Sequence, residues 1–312
     1  MKLSEKRRTL HLTHIVGGMS LFATAKVLWQ MTHIKAELSA VCQQNVGIEL
    51  LSKIDQNFGL RKSKDFFILG SGATVLTLGD KDWEKIRLGT SIGMNSWAFH
   101  PFVPDVLAIE DIHSPTLLPQ RAAMLKGLDL LTNHDTKPLI LNFRMPSTVD
   151  PGLKLQVPTA LIQHCRKYGR FQIPSFSDSR HTRDALRAGL SLDRHRMIPG
   201  PLLIDHGASV VRMIHFALRS GAKRIVLSGV DLVGSKYFYE EDPSFLRRID
   251  EPPFDRTRQS LLHGTVEERP GSSSILRVLR ELNQVLRRDY GVELLVLKPT
   301  PTMKSVLPEI SF

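Results

Sequence analysis

Asp65-Phe66-Phe67-Ile68-Leu69-Gly70-Ser71-Gly72 is the stretch on which the fold turns. Four consecutive apolar residues, too few for a helix, run directly into two glycines one residue apart. An unbroken apolar run of this length is the pattern of a strand buried on both faces, and strands of parallel sheets are buried that way because helices cover both sides. The stretch therefore reads as a first parallel strand that ends at Gly70 and turns into a helix. Further strand-like runs follow at Ser91–Met94, Val106–Ile109, Leu139–Phe143, Arg224–Leu227 and Glu293–Leu297. Helical patterns lie between them at Gln120–Leu131, Val157–Tyr168, Ala208–Arg219 and Ser274–Asp289. Strands and helices alternating at these lengths predict an α/β domain, a parallel sheet with helices on both faces.

Two segments depart from that rhythm. Residues 1–64 contain no proline and place Leu21, Ala25, Leu28 and Thr32 along one helical face. They end in Asn57-Phe58-Gly59 and the basic run Arg61-Lys62-Ser63-Lys64. In residues 1–65, ten Lys and Arg stand against five Asp and Glu, nearly half of the +11 excess of the whole chain. The segment is either a helical hairpin packed on the domain or an amphipathic helix lying on an anionic membrane surface. Ile15–Met31 is mostly apolar, but Lys26 interrupts it, it is short for a membrane span, and no small-x-small cleavage site closes it. The expected division is thus 1–64, a basic helical N-terminal segment, and 65–312, the α/β domain. Within the domain, residues 232–272 carry Gly234, Pro243, Pro252, Pro253, Gly264, Pro270 and Gly271 with little apolar periodicity. A segment this long following a strand predicts a lid at the carboxyl edge, where open α/β sheets bind ligands.

The charge narrows the partners. With 42 Lys and Arg against 31 Asp and Glu, the 312-residue chain suits an anionic partner: a nucleotide, an anionic lipid surface or an acidic glycan. No zinc-finger spacing, RNA-recognition signature or dense basic stripe with aromatics is present, so nucleic acid is not expected. Cys42 and Cys165 lie far apart with no CxxC pattern, as lone thiols do in a reducing compartment. No HExxH, Cys/His cluster or Asp-x-Asp triplet is read as a set of metal ligands, so no metal site is expected.

Five places could carry chemistry. Gly70, Ser71 and Gly72 would let backbone N–H groups approach a phosphate or ribose at a helix start, or simply form a strand–helix turn. No Gly-Lys-Ser/Thr follows, and Val75 takes the third glycine position of a dinucleotide loop. Asn95, after Ser91–Met94, would donate to a phosphate oxygen or close a turn. Asp205-His206-Gly207-Ala208-Ser209 opens a helix, so Asp205 or Ser209 would cap it, or His206, Gly207 and Ser209 would hold an anionic group there. Ser228-Gly229-Val230-Asp231 follows a strand and leads to Tyr237 and Tyr239, whose hydroxyls would stabilise a departing phosphate or whose rings would anchor the loop. His263, beside Gly264 in the lid, has the pKa range of a general base.

In their order, these segments resemble the bacterial sialyltransferases that modify lipooligosaccharide, metal-independent enzymes of Rossmann-like fold. The resemblance runs from about residue 65 to 308. Phe66–Gly72 matches the family's opening strand and Gly-x-Gly, Asn95 its strand-closing Asn, and Asp205-His206-Gly207 its phosphate-side helix start. Gly221-Ala222-Lys223-Arg224-Ile225-Val226-Leu227-Ser228-Gly229-Val230-Asp231 looks like its strand and Leu-Ser-Gly-Ile-Asp loop; Tyr237, His263 and Val292–Pro299 match its lid tyrosine, its histidine and its last strand. Ser71 stands where the family has Asn, His206 where it has Ser or Thr, and Val233 where it has a first lid tyrosine, which Tyr239 would replace. The resemblance implies inverting transfer of a sialic-acid-like or Kdo-type sugar from a CMP-sugar to a glycan or glycolipid acceptor. His263 would be the base, Asn95 and Tyr237 would hold the phosphate, and neither cofactor nor metal would be needed. The lone thiols and the basic N-terminal segment, which has no counterpart in the family, together point to a cytoplasmic protein, with attachment to the inner face of a bacterial inner membrane as one reading of that segment; a homo-oligomer is left open. Two rival readings remain: an S-adenosylmethionine-dependent methyltransferase, with Glu110 or Asp111 as its strand-end acid, and a non-catalytic surface-assembly protein with a degenerate donor site.

Overall fold

The computed structural model describes residues 19–42, 49–51, 63–110, 118–143, 157–232, 236–242, 244–245 and 273–312. Its strands are β1 Glu49–Leu50, β2 Asp65–Leu69, β3 Thr90–Met94, β4 Val106–Glu110, β5 Leu139–Phe143, β6 Cys165–Gln172, β7 Leu202–Asp205, β8 Arg224–Ser228, β9 Glu293–Leu297 and β10 Glu309–Ile310. Among the described residues these form one sheet in the order β1-β6-β5-β4-β3-β2-β8-β9-β10, with β7 on the carboxyl half of β6. Every pairing is parallel.

The apolar runs are buried on both faces, as expected. Phe66 and Ile68 belong to one core, which also takes helices α1 Leu21–Met31, α2 Ile34–Cys42, α5 Ser179–Arg194, α6 Ser209–Arg219 and α8 Ile275–Val285. Phe67 and Leu69 belong to the other core, with helices α3 Asp80–Leu88, α4 Leu118–Thr132 and α7 Phe238–Glu241. The same alternation divides Val106 and Ala108 from Leu107 and Ile109 in β4. The architecture is therefore the Rossmann-like α/β sheet with helices on both faces.

The chain lays down β2 to β6 in one direction and then, through β7 and α6, returns to place β8 on the other side of β2. Leu69 pairs with Gly93 on one side and with Ser228 on the other. The strand order therefore reverses at β2, and at this switch point the carboxyl ends of β3, β2 and β8 lie side by side, the place where open α/β sheets bind ligands.

Two expectations need correction. Val157–Tyr168 is not a helix: a short 3₁₀ turn, Thr159–His164, leads into β6, and Cys165 and Tyr168 pair with Ile140 and Phe143. The run Cys-Arg-Lys-Tyr-Gly-Arg-Phe-Gln is too polar to announce a central strand, yet Lys167 is buried within it. The N-terminal helix exists, but its buried face is Ala23, Thr24 and Val27, whereas Leu21 is 75% exposed. Small Ala23 lets α1 lie against α5, and the Ser20 N–H donates to Asp184 at 2.8 Å across that contact. The described part of the N-terminal segment packs on the α/β domain. Ala23, Val27, Ile34 and Leu51 share a core with Phe66 and Ile225, and β1 pairs with β6. Of the expected lid, Phe238–Glu241 is a short helix, and the greater part of residues 232–272 lies outside the described residues.

Gly229 sits at φ +67°, and a Cβ there would overlap the Gly70 carbonyl oxygen. Gly291, at φ +62°, has open space around its missing Cβ. Gly291→Ala should therefore lower stability by about 1–2 kcal/mol, the left-handed backbone term alone. Gly229→Ala should lower it further, because two strand-end loops must also separate. Urea titration of both variants checks the ranking.

Candidate functional site

At the switch point the loops after β2 and β8 lock together. The Gly70 N–H donates to the Ser228 carbonyl at 2.8 Å and the Gly72 N–H to the Gly229 carbonyl at 2.7 Å. Asp231, almost fully buried, accepts from the Thr74 N–H at 3.0 Å and from the Thr74 hydroxyl. A Cβ on Gly70 would overlap the Gly229 carbonyl, and one on Gly72 would overlap Asp231. Residues 236–238 then fasten on top. The Ala73 N–H donates to Lys236 and the Phe238 N–H to Ser71, so that Tyr237 forms an antiparallel bridge with Gly72.

This geometry changes the role of the glycines. The N–H groups of Gly70, Gly72, Ala73 and Thr74 already have acceptors inside the protein, so they do not form a phosphate cradle. Nor do they lead into an α-helix, because Ala73–Thr77 is a 3₁₀ turn. The glycines are there because two loops approach at backbone contact distance. Any ligand contact here falls to polar side chains, of which Ser71, Asn95 and Tyr237 lie on these strand-end loops.

Asn95 comes directly after the last residue of β3 in the left-handed region, at φ 50°, which Asn tolerates better than most residues. Its Oδ1 is buried and has no hydrogen-bond partner. Leaving a buried amide oxygen unpaired costs about 1–3 kcal/mol. That penalty falls on a residue at the carboxyl end of β3, beside the loop after β2. The Ser71 hydroxyl is 3.5 Å from the carbonyl of Met94, next to Asn95. Burial, and then the charge of Glu240, push the Tyr237 phenol above its usual range, keeping it a neutral O–H donor. Tyr239 is placed otherwise than expected. It is 1% exposed, stacks on Tyr237 at 5.2 Å, and turns its hydroxyl toward Ser96 in the core. It anchors this segment and does not replace a lid tyrosine at the strand ends.

His206, Gly207 and Ser209 lie on the same carboxyl edge, at the end of β7 and the start of α6. Gly207 takes φ +77° in open space. Helix α6 has no side-chain cap at Ala208. Ser209 instead donates to Glu110 at the end of β4. His206 is nine-tenths buried, its Nε2 has no partner, and burial pulls its pKa down despite Asp205 and backbone contacts that act the other way. It is therefore a neutral imidazole with one vacant ring nitrogen.

Beside it is a cluster that sequence reasoning missed. Arg212 bonds Glu110 and reaches Asp205 at 2.8 Å, with its guanidinium 4.2 Å from the centre of the Phe143 ring. Burial works against its charge, but Glu110 and Asp205 outweigh burial and hold it above the usual arginine range. The available signal was an arginine among Val210, Val211, Met213 and Ile214 on a buried helix face. Glu110, the acid considered for a methyltransferase, is tied to Arg212 and Ser209; Asp111 lies outside the described residues. So does His263. One further spacing, Asp80-Lys81-Asp82, has the Asp-x-Asp form found in metal sites. Here Asp82 accepts from the Gly79 N–H at 3.0 Å and caps α3.

Against known proteins, the chain matches no family model and no curated protein. Among solved structures it is similar to the MAf glycosyltransferase from Magnetospirillum magneticum AMB-1, with a TM-score of 0.42 and 14% identity. The similarity covers 87% of this chain and 38% of that one, so this chain spans well under half the length of that protein. Likeness at this level bears on neither donor nor acceptor.

Arg212→Met should destabilise the fold by about 3–5 kcal/mol, because it leaves two carboxylates without their cation. Chemical denaturation measures this directly. The pH dependence has its own source in α6. His215 is fully buried, its Nδ1 accepts from the Ile204 N–H at 2.9 Å, and burial and Arg219 lower its pKa although Asp193 opposes them. Like His206, it takes up a proton more readily when unfolded than when folded. Their contribution is complete above the unfolded value of about 6.5 and declines as pH falls below it. The urea midpoint should therefore fall between pH 7 and 5, and His215→Leu should flatten that slope.

Proposed function

We propose that the chain is a metal-independent glycosyltransferase that moves a nonulosonic or Kdo-type sugar from a CMP-activated donor to a cell-surface glycan or glycolipid. The observation that carries this reading is Asn95: a left-handed residue with an unpaired buried amide oxygen at the carboxyl end of β3, next to Met94, whose carbonyl the Ser71 hydroxyl approaches. The unpaired oxygen accepts from a donor such as a ribose hydroxyl or the cytosine amino group, while the Asn95 Nδ2 and the Ser71 and Tyr237 hydroxyls are the groups that would donate to a phosphate. The residues involved are those whose order matches the CMP-dependent sialyltransferases.

In this mechanism the acceptor hydroxyl attacks the anomeric carbon with inversion, and CMP leaves with the electrons of the C–O bond. Tyr237, neutral and O–H donating, meets the charge growing on the departing phosphate, together with the Asn95 amide and the Ser71 hydroxyl. Gly70, Gly72, Gly229 and Asp231 serve by holding this loop in register. The start of α6, with Gly207, Ser209 and the vacant nitrogen of His206, faces the donor's remaining polar groups. His263, from the lid, takes the acceptor proton. Such preorganised donors contribute on the order of 10²–10³ in rate each.

CMP should bind measurably, with UDP and GDP much weaker, in calorimetric titration; equal affinity for UDP overturns the reading. Asn95→Ala should weaken CMP binding about tenfold or more, the loss of one hydrogen bond to a charged group. His263→Asn should leave CMP binding intact, lower transfer by about 10²–10⁴, and remove the rise of rate with pH through the histidine range. Full transfer by His263→Asn would remove that residue from the mechanism.

A further inference from the structure

Helix α1 is apolar on both sides. While Ala23 and Val27 are buried against α5, Leu21, Phe22 and Trp29 stand 75%, 56% and 60% exposed on the opposite side. They form an outer strip with Lys26, whose Nζ lies 4.7 Å above the Phe22 ring and 5.1 Å from that of Phe176. Ala25 and Thr32 are exposed with them, while Leu28 is half-buried against the core. From Lys6 to Ala36 the sequence has no acidic residue. Lys35 and, on the neighbouring α5, Arg180 are exposed.

We propose that this outer face of α1 docks the protein on an anionic lipid bilayer. Leu21, Phe22 and Trp29 enter the boundary between headgroups and acyl chains, and Lys26, Lys35 and Arg180 meet lipid phosphates. An eleven-residue helix spans roughly 16 Å, a narrow strip beside the about 800 Å² per partner that stable protein interfaces bury. A bilayer needs no complementary shape, only apolar side chains flanked by cations, with tryptophan at the boundary and lysines reaching outward.

The orientation fits an acceptor held in the membrane, a consequence that rests on the transferase reading, whereas docking itself does not. Phe22 packs edge-on against Phe176, which follows β6 at the carboxyl end of the sheet, and against His181 at the start of α5. The Phe176 N–H in turn contacts the Ser273 hydroxyl, where the chain re-emerges from the lid segment. The leading end of α1 thus belongs to the carboxyl edge of the sheet. Docking through this face brings that edge near the bilayer.

The test uses the full chain and vesicles of phosphatidylcholine with or without phosphatidylglycerol, with no nucleotide, so that a failed donor assignment does not affect it. The protein should float with the anionic vesicles, and salt should release it. Leu21→Ser with Trp29→Ser should reduce vesicle binding about a hundredfold with an unchanged melting temperature, since both side chains are exposed. Lys26→Glu should weaken binding to anionic vesicles only. Absence of flotation by the wild type, or undiminished flotation by the double variant, overturns the proposal. So does a double variant whose only change is from dimer to monomer, which would make the face a contact between two copies.

Discussion

The backbone contact between the loops after β2 and β8 is the constraint on which the rest depends. Two strands far apart in sequence end side by side, and their following residues must cross within hydrogen-bonding distance of each other. Only glycine fits at 70, 72 and 229, because any side chain would meet a carbonyl oxygen or the Asp231 carboxylate. Asp231 then fixes the turn through Thr74, and residues 236–238 are sewn on through Tyr237 and Phe238. Once this knot is closed, the positions of Ser71, Asn95 and Tyr237 are set by it.

A second polar centre, around Arg212, ties the other half of the carboxyl edge together. It joins β4 through Glu110, β5 through Phe143 and β7 through Asp205, all from one side chain on α6. Buried charge of this kind adds little net stability compared with apolar packing, but removing one member is severe. Its consequence is positional. The start of α6, with His206, Gly207 and Ser209, is held against the ends of the strands and cannot slide along the sheet.

These two centres lie on one edge, and α1 reaches the same edge from outside. A helix that is apolar on both faces would be unsuited to an appendage exposed all round. Here one face completes the core of the sheet, leaving the other, with its tryptophan and lysine, to meet something beyond the protein. The basic excess of the N-terminal region and the apolar strip thus have a shared physical reading.

Local pattern by itself determined the class of fold and most of the strands. Apolar runs such as Phe66–Leu69 and Arg224–Leu227 have no other economical state than a strand covered on both sides, and the glycine, asparagine and tyrosine signals take their order from those strands. It did not determine β6, whose charged side chains mask a central strand, or which side of α1 faces inward, since both sides are apolar. Nor did it determine how the glycines act. Gly70 and Gly72 read as a phosphate cradle until β8 is placed beside β2, at which point their N–H groups are seen to be bonded already to Ser228 and Gly229. The unpaired oxygen of Asn95, the burial of Tyr239 and the junction at Arg212 are likewise relations between strands distant in sequence. Hydrogen bonding and burial depend on what a residue meets in space, and only the tertiary structure decides that.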